Sequence, residues 1–135
     1  MARILLVEDD PDLRPLLEHI LLSGNYQVTA ADSAAAALSL LAAQPFDLAL
    51  CDVDLPDASG LTVADQAMLA GIRTLVITGH GLGLEPGSLA AYEYLLKPVR
   101  VGELIAAIER RLGAPAVPAL RASDARLLGI KLRPV

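Results

Sequence analysis

Two four-residue runs, Ile4-Leu5-Leu6-Val7 and Leu48-Ala49-Leu50-Cys51, are apolar at every position, and acid follows each at once: Glu8 and Asp9 after the first, Asp52 after the second. A strand with one face in water alternates apolar and polar residues. A run without alternation reads as a strand buried on both faces, the mark of a parallel sheet covered by helices on each side. In open sheets of that kind, chemistry sits at the carboxyl ends of the strands. If the two runs are neighbours, three carboxylates meet there. Two carboxylates about 5 Å apart repel by roughly 3 kcal/mol at an effective dielectric near 20. Gathering three implies a cation.

The rest of the chain keeps the same rhythm of short apolar runs and segments of helical period, which predicts βαβ units. Strands are expected over residues 3–7, 26–31, 47–52, 74–78 and 92–97. Helices are expected over about 11–23, following Ser33 up to Pro45, over 61–70, and over 102–112. Asp10 is read as the N-cap of the first helix, with Pro11 at its first position and Gly24 as its stop. Gly79-His80-Gly81-Leu82-Gly83-Leu84-Glu85-Pro86-Gly87 holds four glycines and a proline where a further helix would fit, a composition that cannot hold a stable one. Residues 1–113 therefore form one domain, and 114–135 a tail containing Pro115 and Pro118.

Composition excludes several function classes. With 54% apolar but only 3% aromatic residues, the core must be built from Leu, Ala, Val and Ile. Residues 1–113 carry 7 basic against 15 acidic side chains, while the tail carries 4 against 1. An acidic body is a poor electrostatic match for nucleic acid. A lone Cys51 rules out a disulfide framework. No stretch is long enough to span a bilayer or to serve as a signal peptide, so a cytoplasmic location is expected.

The expected strand ends bring Asp9, Asp52, Thr78 and Lys97 to one edge. Carboxylates without His or Cys suit a hard cation such as Mg²⁺. A carboxylate nucleophile, a hydroxyl and an ammonium beside such an ion make a phosphoryl-transfer site.

These residues resemble a receiver domain of two-component response regulators. The match is carried by Glu8-Asp9-Asp10, by Asp52-Val53-Asp54-Leu55-Pro56 with Ser59-Gly60, by Thr78-Gly79, and by Tyr94 three residues before Lys97-Pro98. The resemblance implies a CheY-like, flavodoxin-like, doubly wound α/β fold with five parallel strands in the order 2-1-3-4-5. It implies that Asp52 accepts a phosphoryl group from a histidine kinase or histidine phosphotransfer protein. Asp9 and Asp52 would bind Mg²⁺ directly, Asp54 through its backbone carbonyl and Glu8 through water. Thr78 and Lys97 would bond the phosphate, the Lys97–Pro98 peptide would be cis, and Tyr94 would swing inward as Thr78 moves. The intervals from Asp52 to Thr78 and from Thr78 to Lys97 are each shorter than the family's by about one helical turn. The combination of Val63-Ala64-Asp65, Gly71-Ile72, Thr78-Gly79-His80-Gly81 and Leu84-Glu85-Pro86 is similar to a stand-alone subgroup with a Phe-Ala-Thr-Gly-X-Tyr motif, although Val76-Ile77 replace Phe-Ala. A shortened third helix and a short or disordered fourth are expected accordingly.

The function implied is a single-domain switch or phosphorelay intermediate acting by protein contact, as monomer or weak homodimer, catalysing only its own phosphorylation and dephosphorylation. The alternative is a pseudo-receiver, a constitutive interaction scaffold with no use for Mg²⁺. A Mg²⁺-dependent phosphatase is the weakest reading, since the chain has no cap segment. His19 is expected at the surface and His80 in solvent near the site. Arg110 and Arg111 are suited to a helix carboxyl end without needing partners.

Overall fold

The computed structural model describes residues 1–79 and 91–113. The glycine-rich segment 80–90 with His80, where the short or disordered helix is expected, and the tail 114–135 lie outside the described residues. Along the chain run β1 (Arg3–Val7), α1 (Leu13–Ser23), β2 (Gln27–Ala31), α2 (Ala34–Ala43), β3 (Leu48–Asp52), α3 (Gly60–Leu69), β4 (Arg73–Thr78), β5 (Tyr94–Leu96) and α4 (Val101–Gly113). All neighbouring strands pair in parallel, and the sheet order is β2-β1-β3-β4-β5. Among the described residues, no helix is long and apolar enough to cross a membrane.

The unbroken apolar runs are explained by the side-chain period of two. In β1, Ile4 and Leu6 join Leu48, Leu50, Leu75 and Ile77 beneath Leu17 and Leu21 of α1 and Leu104, Ala107 and Ile108 of α4. Leu5 and Val7 point the other way and join Ala49 and Cys51 beneath Ala34 and Ala37 of α2 and Val63 and Ala67 of α3. One face is thus filled largely by Leu and Ile, the other by many small residues that let α2 and α3 approach closely. This is how a chain poor in aromatics closes a core. Cys51 lies wholly inside it, and burial pushes its thiol up to about 12, so it serves as a small apolar residue.

Several details differ from the sequence reading: β5 is only Tyr94–Leu96 where a strand over 92–97 is expected, and both ends of α1 depart from it. The regular part of α1 starts at Leu13, two residues beyond Pro11, and Asp12 at its boundary makes no side-chain cap bond. Asp10 nevertheless does the capping: its carboxylate accepts from the backbone N–H groups of Asp12 (2.8 Å) and Leu13 (3.2 Å), and its carbonyl from Arg14. Those bonds hold the Asp10 carboxyl below the usual aspartate value. Pro15 falls within the first turn, where its missing N–H has no intrahelical partner to lose. At the other end Gly24 closes the helix in ordinary conformation, and the left-handed residue is Asn25, at φ 66°. The other helix starts behave as read, with Ser33 Oγ accepting from Ala36 N–H at 3.1 Å.

Candidate functional site

The register decides what meets at the sheet edge. Val7 pairs with Cys51, Asp52 with Ile77, and Thr78 with Leu96, so Glu8, Asp52, Thr78 and Lys97 leave their strands at one level. Glu8, Asp9 and Asp52 each offer a carboxylate oxygen, and these three atoms lie within 4.8 Å of one another. Glu8, Asp52 and Thr78 are buried, while Asp9 is exposed at the mouth. At an effective dielectric near 20, each like-charge pair at that spacing costs on the order of 3 kcal/mol.

Among the described residues, one cation answers them. Lys97 Nζ lies 3.0 Å from Asp52 Oδ2 and 3.2 Å from Glu8 Oε1. Burial works against the Lys97 charge, but the hydrogen bond to Asp52 and the charges of Asp52 and Glu8 outweigh it, and its ammonium is held above the ordinary lysine value. One ammonium does not neutralise three carboxylates. Burial, and then the hydrogen bond Glu8 shares with Asp52, push the Glu8 carboxyl up to about 7, against the opposing pull of the Asp10 N–H and Lys97. Glu8 Oε2 accepts from that N–H at 3.2 Å, whereas the buried Oε1 makes no directed hydrogen bond. A buried carboxylate oxygen that shares a single ammonium with Asp52 and faces two further acids belongs to a donor set suited to a hard divalent cation.

The surrounding loops are tightly held. Glycine is required at position 60, because a Cβ there would come within 1.8 Å of the Asp52 carbonyl oxygen. That close approach lets Gly60 N–H donate to Val53 O at 2.8 Å and brings the start of α3 against the end of β3. Asp52 Oδ1 accepts from Asp54 N–H at 3.1 Å, and Asp54 bridges to Ser59, which turns the loop back on itself. The Asp54 side chain is exposed. On the opposite loop, Arg14 Nη1 reaches the carbonyl oxygens of Glu8 and Asp9 at 3.2 and 3.4 Å. The Lys97–Pro98 peptide is cis, as the resemblance implied.

The side-chain partners of Tyr92, Arg110, Arg111 and Asp57 were missed or misread from sequence. Tyr94 is half-buried in β5, packed against a cluster of Val53, Ala64, Val76 and Tyr92. Tyr92 is the more buried of the two, and its hydroxyl donates to the Asp65 carboxylate of α3. Arg110 and Arg111 do have a partner. Arg110 donates to Glu93 Oε1 at 2.8 and 3.0 Å, and Arg111 Nε lies 3.2 Å from Glu93 Oε2. Asp57, in the loop between β3 and α3, accepts from Ala34 and Ala35 N–H at the start of α2, each at 2.9 Å. Partners 17 to 27 residues away leave no periodic trace in a sequence. His19 is at the surface, as expected.

The profile of the response regulator receiver domain matches residues 4–109. The chain is 36% identical over 117 residues to the response regulator receiver protein CpdR of Brucella abortus, covering 83% of this chain and 98% of that protein. It is 36% identical over 134 residues to the response regulator protein PilR of Pseudomonas aeruginosa, covering 94% of this chain but only 30% of PilR. It thus spans under a third of the length of that relative. Among solved structures, the response regulator protein TrrA of Thermotoga maritima, in complex with Mg(2+)-BeF, superimposes with a TM-score of 0.71 at 28% identity, covering 82% of this chain and 98% of that one.

Proposed function

The chain belongs to the response regulator receiver family, and from that premise we propose that it is a phosphorylation-dependent signalling switch with Asp52 as the phosphoacceptor. The observation that carries the reading is the convergence of Glu8, Asp9 and Asp52 on one point, with Lys97 against two of them. In this reading Mg²⁺ is held by Asp9, Asp52 and the backbone carbonyl of Asp54, with Glu8 acting through water. Bound there, the ion supplies positive charge against the acids and the phosphoryl oxygens.

An Asp52 carboxylate oxygen attacks phosphorus in a phosphohistidine of a histidine kinase or phosphotransfer protein. The P–N bond breaks, its electron pair returns to the imidazole, and an acyl phosphate forms on Asp52. Lys97 exchanges the Asp52 carboxylate for a phosphoryl oxygen, and Thr78 turns its hydroxyl to another. That movement opens space toward β5, which Tyr94 fills, and the changed face is read by a downstream protein. The chain catalyses only its own phosphorylation and dephosphorylation. Incubation with acetyl phosphate and Mg²⁺ should add one phosphoryl group by mass spectrometry, and Asp52→Asn should abolish it. Labelling of the variant at the wild-type level would remove Asp52 from its role.

A further inference from the structure

The loop between β3 and α3 is anchored twice, and only one anchor belongs to the site just described. Its inner end is held by the Asp52–Asp54 and Gly60–Val53 bonds. Its outer tip is held by Asp57, whose two carboxylate oxygens are spent on different N–H groups of another element, Ala34 and Ala35, 23 and 22 residues away in the chain. The first turn of α2 needs these bonds. Ser33 serves only Ala36 N–H through its hydroxyl and Ala37 N–H through its carbonyl, and the turn contains no acid of its own. Asp57 therefore supplies the two remaining acceptors and the negative charge that the helix dipole favours. Its carboxyl is held below the usual aspartate value by these same bonds.

The element it grips is rigid. Ala34 and Ala37 are buried against Leu5, Val7 and Cys51, the strands that carry the acids. Between Asp57 and Asp54 lie only Leu55 and Pro56, and proline locks one of the few free torsions. A displacement of the tip is thus transmitted to Asp54 with little slack.

We infer that Asp57 is a positioning residue for the metal centre, strapping the loop to α2 so that the Asp54 carbonyl is held in place for the cation. The inference rests on the functional reading above, in which that carbonyl is a ligand. A cap that merely stabilised α2 would leave metal affinity alone, and this separates the two roles.

The test is Mg²⁺ titration of the full chain by calorimetry, in high salt to screen the loss of one surface charge, at a temperature where circular dichroism shows every variant folded. Asp57→Ala should weaken Mg²⁺ by up to about 10-fold, the lower end of what loss of a partner bonded directly to a ligand costs, and slow acetyl phosphate labelling at subsaturating Mg²⁺ but not at saturation. Asp57→Asn keeps one acceptor and should recover part of the affinity. Ser33→Ala removes a cap from the same helix turn without touching the loop, so it should lower the melting temperature and leave the Mg²⁺ constant unchanged. If Asp57→Ala does not fold, Asp57→Asn against Ser33→Ala decides the matter. An Asp57 variant that binds Mg²⁺ like the wild type, or an equal loss in Ser33→Ala, overturns the strap. Wild-type protein that binds no Mg²⁺ overturns the reading of the site itself.

Discussion

Glu8 should make the metal-free protein lose stability as the pH rises. Its side chain is 1% exposed, and its carboxyl lies near 7 rather than the ordinary 4.5. An acid raised in the folded state binds more protons folded than unfolded between those two values. Its contribution is therefore complete below pH 4.5, falls away through pH 7, and is gone above. The interval from 4.5 to about 7 corresponds to about 3 kcal/mol. For a chain of 135 residues that is roughly 10 °C in melting temperature. The assay is thermal and urea unfolding in EDTA from pH 4.5 to 8.5, for wild type and Glu8→Gln. Acids lowered by hydrogen bonds, Asp10 and Asp57, give a slope of opposite sign at lower pH, but they are common to both proteins and cancel in the difference. The variant carries no titrating proton at position 8. It should lack the decline and exceed the wild type above pH 7, and saturating Mg²⁺ should erase that advantage by stabilising the wild type through binding. A difference between the two proteins that stays constant across this pH range would refute the argument.

Other consequences can be checked alongside. Gly60→Ala places a methyl against the Asp52 carbonyl, and should cost more than the usual 1–3 kcal/mol or so of an overpacked site, weakening Mg²⁺ at the same time; unchanged melting and titration curves would contradict the close approach. Glu93→Ala leaves the mostly buried Arg111 without its carboxylate and should cost about 3 kcal/mol. The loss should be nearly the same in low and high salt, since buried charge is poorly screened; a cost that vanishes in high salt would make the pair a surface one. Tyr92→Phe removes one hydrogen bond to the charged Asp65 and should lower stability by about 2 kcal/mol in urea unfolding, with Mg²⁺ affinity intact. A neutral result would show that the hydroxyl is equally well served by water.

The fold was largely legible because the features that specify it are local and repeated. Unbroken apolar runs require two covered faces, Ser33 announces a helix start, and Gly71, at φ 78°, ends α3 as a left-handed residue should. Errors fell at boundaries, as with α1, where Asp10 caps from two residues further out than the boundary residue Asp12.

The sequence by itself determined which residues could do the chemistry: carboxylates at the ends of two buried runs, a hydroxyl at the end of a third strand and a lysine before proline. Strand ends are readable because hydrophobic burial stops where a charge begins. Tertiary structure alone decided how these groups bear on one another. It set Lys97 between Asp52 and Glu8, raised the Glu8 carboxyl, and turned Asp57 from a loop residue into a second cap for α2. It also gave Arg110 and Arg111 a buried partner in Glu93. These effects depend on distance and desolvation between residues far apart in the chain, and neither quantity has a period that a linear sequence can carry.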